Sequence, residues 1–302
     1  MKNKVVIIGC GNVGMSYAYA LLNQKTNVQE LVLVDLNQER IEGEAMDLNH
    51  CLAFAPTNMK IKAGDYSDTK DAKVVMIAAG AAQNPGETRM DLINKNSKIF
   101  KGIIDSCIGN GFNGIFLVAT NPLDVMTYLT YKYSGFDTKR VIGSGTCLDT
   151  ARLCYMIGNK LNINPKDVNA YVMGEHGDSE FVPWSNANIG LNNISEYLNQ
   201  DELDKIAEDV KNAAYEIINK KGATYYGIGV SLVNITNAIL NDESSILTVS
   251  SYDEANGVFI GGPTILNSEG VVKRLFVKLN EEETKKMQKS VDIIKEAIDK
   301  VV

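Results

Sequence analysis

Histidine is scarce in this chain: 302 residues contain two of them and a single tryptophan. So few imidazoles leave little material for His-based metal sites, and they confine acid–base chemistry near neutral pH to His50 or His176. The five cysteines (Cys10, Cys51, Cys107, Cys147 and Cys154) are odd in number, widely spaced and without a CxxC pair. That pattern argues against a disulfide framework and against structural zinc, so no metal is expected. No apolar run approaches the roughly 18 residues of a membrane span; the longest, Val74 to Ala82, contains Gly80. The basic start, Met1 to Lys4, precedes an apolar stretch that breaks at Gly9, so export is not expected and a reducing cytoplasm is. There is also no Lys/Arg run, and 30 basic against 37 acidic residues give a net charge of −7. Nucleic acid and anionic lipid are poor partners for such a surface, and a basic residue beside a pocket reads as a ligand for a small anion.

What is present is the composition of a soluble globular protein, 45% hydrophobic and 22% charged, of one large or two ordinary domains. The first half alternates β-rich runs with helical patterns. Strands are predicted at Lys4–Ile8, Leu31–Asp35, Lys73–Ala79, Ile115–Ala119 and around Val141, with helices at Val13–Gln24, Glu39–Asn49, Asp91–Asn110 and Leu123–Tyr133. Runs such as Val74 to Ala78 lack polar alternation, as strands buried on both faces do. The second half predicts a helix at Leu148–Leu161, a strand at Ala170–Met173, and helices at Glu202–Lys220 and Thr224–Leu240. Strands then follow at Ser245–Ser251, Val258–Leu266 and Val271–Leu279, antiparallel because only short turns separate them. A last helix, Glu281–Val301, starts at the Asn280 cap with Glu283 three residues on. The expectation is an α/β protein: a Rossmann-type doubly wound parallel sheet over 1–144, followed by an α+β substrate domain with antiparallel strands over 145–302.

Gly9-Cys10-Gly11-Asn12-Val13-Gly14 follows the first strand and opens the first helix. Gly9 permits the tight turn, Gly11 lets backbone approach a pyrophosphate, and Gly14 lets helix and strand pack closely. Asp35 ends the second strand, where a carboxylate accepts from the adenosine ribose and repels the extra phosphate of NADP. A plain Gly-rich turn with Asp35 as a capping residue would use the same letters, but strand, helix and acid are all in place, and the cofactor expected is NAD.

His50 ends a helix and reads as a C-terminal helix residue facing the dipole. His176, in Gly174-Glu175-His176-Gly177-Asp178-Ser179, follows a strand end between glycines, where sites form. Asp149 and Arg152, three residues apart on one helical face, make either a surface ion pair or an acid that orients a histidine beside an arginine that grips a carboxylate. Arg89 closes Gln83-Asn84-Pro85-Gly86-Glu87-Thr88-Arg89, a loop after a buried strand that could move as a lid.

These segments, with Ala79-Gly80, Ala119-Thr120-Asn121-Pro122, Gly143-Ser144-Gly145-Thr146, Lys221 to Gly227 and Ile246 to Ser250, together resemble the bacterial L-lactate dehydrogenases over essentially the whole chain. The resemblance implies that His176 gives a proton to pyruvate, that Asp149 holds the imidazolium, and that Arg152 binds the substrate carboxylate. It further implies that Arg89 polarises the carbonyl, that Asn121 bonds near the reacting centre, and that Gln83 and Thr224 line the substrate pocket. Gly9, Gly11, Val13, Gly14, Asp35, Arg40, Tyr66, Gly80, Ala81, Ala119, Thr120, Asn121 and Ser144 match cofactor-contacting positions, and a homotetramer is implied. Malate dehydrogenases resemble the same pattern but place an arginine where Gln83 stands, so pyruvate is expected over oxaloacetate. Members activated by fructose 1,6-bisphosphate carry an arginine and a histidine where this chain has Cys154 and Asn169, and little activation is expected. A dehydrogenase for a bulkier 2-oxo acid, or a protein that keeps the cofactor fold without catalysis, are the competing readings; the second predicts erosion of residues that are all present.

Overall fold

The computed structural model describes residues 3–81 and 89–301, with the side chains of all of these but Arg89 and Asp91. Gln83 and the rest of the 83–88 segment lie outside the described residues. The first half runs β1 (Lys4–Ile8), α1 (Asn12–Asn23), β2 (Glu30–Val34), α2 (Gln38–Cys51), β3 (Lys60–Ala63), β4 (Val74–Ile77), α3 (Arg89–Gly109), β5 (Ile115–Val118), α4 (Leu123–Ser134) and β6 (Val141–Gly143). The second half continues through α5 (Cys147–Leu161), β7 (Val168–Asn169), β8 (Asn188–Ile189), β9 (Asn192–Asn193), α6 (Gln200–Lys221) and α7 (Tyr226–Leu240). It closes with β10 (Ser245–Leu247), β11 (Ser250–Asp253), β12 (Val258–Gly261), β13 (Thr264–Asn267), β14 (Gly270–Arg274) and α8 (Glu281–Ile298).

One sheet organises the molecule, in the order β12-β11-β6-β5-β4-β1-β2-β3. The strands β1 to β6 are parallel, with Val5 opposite both Leu31 and Val74. The chain leaves β1 in one direction and returns at β4 on its other side, so the order reverses between them, which opens a crevice at their carboxyl ends. Alternate residues face opposite ways: Val5 and Ile7 pack with α1, α2 and α7, while Val6 and Ile8 pack with α3, α4 and α8. A third apolar cluster, Leu153, Ile157, Leu203, Ile206 and Val210 among others, joins α5 to α6 away from the sheet.

The second half thus contributes to the sheet as well as to the cover. The strands β11 and β12 extend it antiparallel, with Ser250 paired to Gly143 of β6. On the opposite flank α7 crosses α1 closely: a Cβ on Gly229 would lie 2.8 Å from the Ser16 backbone, and the buried hydroxyls of Tyr17 and Thr236 are 2.6 Å apart.

Four strand expectations change, and in one of them the run expected over Val271–Leu279 ends at Arg274. The Ser245–Ser251 run divides between two sheets, β10 joining β13 and β14 while β11 joins the large sheet, and Val258–Leu266 divides in the same way around Gly262 and Pro263. The Ala170–Met173 segment forms no ladder; Ala170, Val172 and Met173 are buried, but only Met173 and the following Gly174 make single bridges, to Phe181 and Gly261. The strand β3 was not expected, because its sequence, Lys-Ile-Lys-Ala, buries only Ile61 fully at the sheet edge, where lysines discourage further pairing. The α8 start is as expected, Asn280 and Glu283 exchanging bonds with each other's backbone. Among the described residues no helix is long and apolar enough to cross a membrane.

Candidate active site

The crevice between β1 and β4 is shaped by backbone. Gly9 has φ +95, and a Cβ there would fall 2.2 Å from the Ala79 nitrogen; a Cβ on Gly14 would fall 2.1 Å from the Gly9 oxygen. Only glycine fits either position. Gly11, by contrast, faces open space and is the N-cap of α1, with no side-chain bond capping that end. The helix therefore presents uncapped N–H groups and the positive end of its dipole to whatever anion enters. Asp35 is fixed beside this loop, accepting from the Cys10 N–H at 2.7 Å and the Asn37 N–H at 3.2 Å.

Along the same edge Gly80 abuts Thr120, whose hydroxyl donates to the Ala79 carbonyl, and Asn96 ties the strand ends together, accepting from Ala81 N–H and donating to the Asn121 carbonyl. Ala119 follows the end of β5, and the Ser144 N–H donates to the Val118 carbonyl. Val13 and Tyr66 are half-buried; Arg40 is exposed and paired with Glu44 at 3.2 Å.

The second cluster is made of side chains from separate segments that meet in a cavity of about 460 Å³, lined by Asn121, Asp149, Arg152, His176, Glu180 and Lys211 with others. Asp149, 2% exposed, bridges the other two principal groups: its Oδ1 accepts from Arg152 Nη1 at 2.6 Å, and its Oδ2 lies 2.8 Å from His176 Nδ1. A carboxylate held by a guanidinium can only accept, so Nδ1 carries the proton and Nε2 is left for another partner. Burial alone would raise the Asp149 pKa; the charges and hydrogen bonds of His176 and Arg152 outweigh it and hold it low. For His176 burial works toward the neutral form, but the charge and hydrogen bond of Asp149 prevail and push it up to about 9. The imidazole is therefore a cation at neutral pH, poised to give a proton.

Two family models match the chain end to end: "lactate/malate dehydrogenase, NAD binding domain" over residues 3–143, and "lactate/malate dehydrogenase, alpha/beta C-terminal domain" over 146–302. The chain belongs to the lactate/malate dehydrogenase family. It is 51% identical to L-lactate dehydrogenase 2 of Bacillus cereus over 98% of this chain and 97% of that one. Among solved structures it is similar to a lactate dehydrogenase from a Medee basin deep-sea metagenome library, at 50% identity and a TM-score of 0.97 with 100% of this chain and 99% of that one covered. The ligands-bound minor L-lactate dehydrogenase of Enterococcus mundtii gives 43% identity and a TM-score of 0.97 over the same shares.

Membership in this family brings NAD as the cofactor, and the crevice suits it: an open glycine at an uncapped helix end for the pyrophosphate, and the Asp35 carboxylate at the adjacent strand end. The structure brings His176, Asp149, Arg152 and Asn121 to one cavity, while Thr224 stands half-buried in the connection between α6 and α7, outside that lining. His50 sits exposed in the last turn of α2. Arg89 begins α3.

Two acids near His176 were not read from the sequence. Glu180 lines the cavity; burial first, then the charge of Asp149, push its carboxyl up to about 8 against the pull of His176, Arg152 and Lys211. Its spacing, one helical repeat from His176 in a non-helical loop, gives no periodicity signal. Ligand atoms of Asp149, His176 and Glu180 lie within 4.8 Å of one another. With Asp149 already committed to a guanidinium and an imidazole N–H, the group is arranged to handle a proton. The second acid is Asp124, in the first turn of α4, whose position reads in sequence as an ordinary acidic helix start.

Proposed function

We propose that this chain is an NAD-dependent L-lactate dehydrogenase, converting pyruvate to (S)-lactate and back, with the Asp149 bridge between His176 and Arg152 as the observation that carries the reading. NADH supplies the hydride that reaches the carbonyl carbon of pyruvate. The imidazolium of His176 donates the Nε2 proton to the carbonyl oxygen, so one hydride and one proton turn the ketone into an alcohol. Asp149 keeps Nδ1 protonated throughout and stabilises the cation before transfer. Arg152, with one nitrogen spent on Asp149, uses its remaining N–H groups for the substrate carboxylate. Arg89 polarises the carbonyl, and Asn121 adds a hydrogen bond near the reacting centre; placing cations around a developing alkoxide in a confined cavity is a strong electrostatic device.

In this reading residues 1–144 hold NAD through Gly9, Gly11, Val13, Gly14, Asp35, Arg40, Tyr66, Gly80, Ala81, Ala119, Thr120 and Ser144, and residues 145–302 supply most of the substrate site, with Thr224 in its pocket. A neutral Gln83 has no charge to pair with a second carboxylate, which favours pyruvate over oxaloacetate. Cys154 Sγ lies 3.7 Å from the Val168 and Ala170 carbonyls, and Asn169 is equally uncharged. With no cation at either position, activation by fructose 1,6-bisphosphate is not expected. The assembly proposed is a homotetramer, and the compartment the cytoplasm.

One experiment tests the set: initial rates of NADH consumption with pyruvate, 2-oxobutyrate, phenylpyruvate and oxaloacetate, each with and without fructose 1,6-bisphosphate. Pyruvate should give the highest kcat/KM with no fall in its KM on adding the bisphosphate, and Gln83→Arg should move preference toward oxaloacetate. A bulkier acid ranking first, or an unchanged pyruvate-to-oxaloacetate ratio in the variant, would overturn the substrate assignment.

A further inference from the structure

Val172 is buried in the stretch that leads to the His176 loop and joins no ladder, so its backbone must find polar partners elsewhere. Both partners are side chains of α5. The Thr146 hydroxyl donates to the Val172 carbonyl at 2.6 Å, and the Val172 N–H donates to the Thr150 hydroxyl at 2.9 Å. One further step along the helix, Cys154 Sγ lies 3.7 Å from the Val168 and Ala170 carbonyls. Residues 146, 150 and 154 are four apart and share one helical face, so a stripe of α5 side chains stands where a neighbouring strand would be. Thr146 is the N-cap of α5, a place where a threonine ordinarily accepts from its own helix, yet its side chain caps nothing there. Its hydroxyl is spent on Val172 instead. Thr248, at the break between β10 and β11, backs the stripe: its carbonyl accepts from the Thr146 N–H at 2.9 Å, and its hydroxyl is 3.0 Å from that of Thr150.

We propose that Thr146 and Thr150 are positioning residues: through Val172 their hydroxyls set the alignment of α5, which carries Asp149, against the segment that carries His176. This rests on the reading of Asp149 and His176 as the couple that holds the donated proton. Asp149 is the neighbour of Thr150 in α5, and His176 stands four residues beyond Val172, so the stripe ties together the supports of both groups. The bond between them, Oδ2 to Nδ1 at 2.8 Å, has little slack, because a slip of about half an ångström would carry it past the usual limit near 3.2 Å. Shape alone does not require the hydroxyls. Valine matches threonine in outline, but it would leave the Val172 N–H with nothing to donate to and the Thr248 hydroxyl short of a partner. Of the carboxylates that act on the imidazole, Asp149, Glu180 and Asp124, only Asp149 stands on the helix that bears the stripe. Loosening the stripe should therefore weaken that one contact.

The test sets Thr150→Val, which keeps the shape and loses the oxygen, against Thr150→Ser, which keeps the oxygen and loses the methyl. Both are made in the full chain with ¹³C-labelled histidine, and NMR follows the rings as a function of pH; the chain has two histidines, so His50→Gln assigns the pair. In Thr150→Val the His176 titration should move down by at least about 0.5 pH unit as its contact with Asp149 lengthens. The alkaline limb of kcat/KM for pyruvate should move with it, and kcat should fall about tenfold. The Kd for NADH should stay within about twofold, since the glycine crevice is untouched. Thr150→Ser should keep the wild-type titration and a kcat within about twofold. If the valine variant does not fold, Thr150→Ala read against Thr150→Ser decides, because both lack the methyl and only one keeps the oxygen. A His176 titration unmoved in the variant without the oxygen overturns the proposal, and with a lowered melting temperature it assigns the stripe to architecture alone. A serine variant as impaired as the valine one overturns it too, by placing the effect in the methyl. The titration needs no turnover. A wild-type chain that fails to reduce pyruvate therefore overturns the proposed reaction, whereas a stationary His176 overturns this inference.

Discussion

The two sides of the active site are made of different material. The cofactor side is backbone: Gly9, Gly11 and Gly14 create a shape and present N–H groups, with the Asp35 carboxylate held beside the loop. The substrate side is charged side chains drawn from α5, the 174–180 loop and α6, held against one another by bonds of 2.6 and 2.8 Å through Asp149. A surface built of backbone is specified by steric fit and fails when something is added to it. A cluster built of charges is specified by balance and fails when something is removed.

The largest expected effect tests the second half of that contrast. Arg152→Ala removes the carboxylate ligand and leaves Asp149 with one partner fewer. Losing a desolvated charge pair costs roughly 2–5 kcal/mol, so kcat/KM for pyruvate should fall by about a thousandfold while the Kd for NADH stays put. A matching loss of NADH binding would break the separation between the two sides. Next comes Asp149→Asn. With the main cause of the high His176 pKa gone, the imidazole should titrate closer to its ordinary value near 6.5 than to about 9. Pyruvate reduction needs the protonated ring, so in the wild type kcat/KM should be level below pH 9 and fall tenfold per unit above it. In the variant the fall should begin about two units lower, and a pH–rate profile with an unmoved limb would refute the assignment. The smallest effects test the steric half. Gly14→Ala places a Cβ 2.1 Å from the Gly9 oxygen, and overpacking of this kind costs about 1–3 kcal/mol. Its melting temperature should drop and NADH should bind more weakly, with the His176 pH limb unchanged. Gly43→Ala, an exposed helical glycine with nothing near, should instead gain about 0.4–1 kcal/mol.

The same contrast explains what the sequence made legible. The glycine fingerprint is a local property, and the strand, turn and helix it demands are all contiguous, so the cofactor crevice could be read letter by letter. Buried strands such as β1 and β4 are apolar throughout and equally plain. Asp149 and Arg152 could be paired by helical spacing, yet their meeting with His176 required the family resemblance, because no periodicity links α5 to a loop more than twenty residues on. Asp124 and Glu180 escaped for a related cause: burial converts an ordinary acid into a group with a shifted pKa, and burial of a single acid is decided by distant segments. The split of the 245–251 run between two sheets is similar, since the break at Thr248 and Val249 reflects which sheet each end meets. Both residues are fully or nearly fully buried, so hydropathy alone shows no interruption.

The pairing of Gly143 with Ser250 has a consequence for how the chain is made. When the last parallel strand leaves the ribosome, its outer edge has no neighbour, and the partner is encoded more than a hundred residues later. At about 5–20 residues per second, that edge waits on the order of 5–20 seconds for β11 to be synthesised. Helix α7, which packs on α1, follows it by about two hundred residues, so that flank waits about twice as long. The first half is consequently a nascent species with an unsatisfied strand and an uncovered helix, the kind of surface that chaperones hold and that aggregates when they do not. A cofactor module cut at residue 144 would carry that condition permanently.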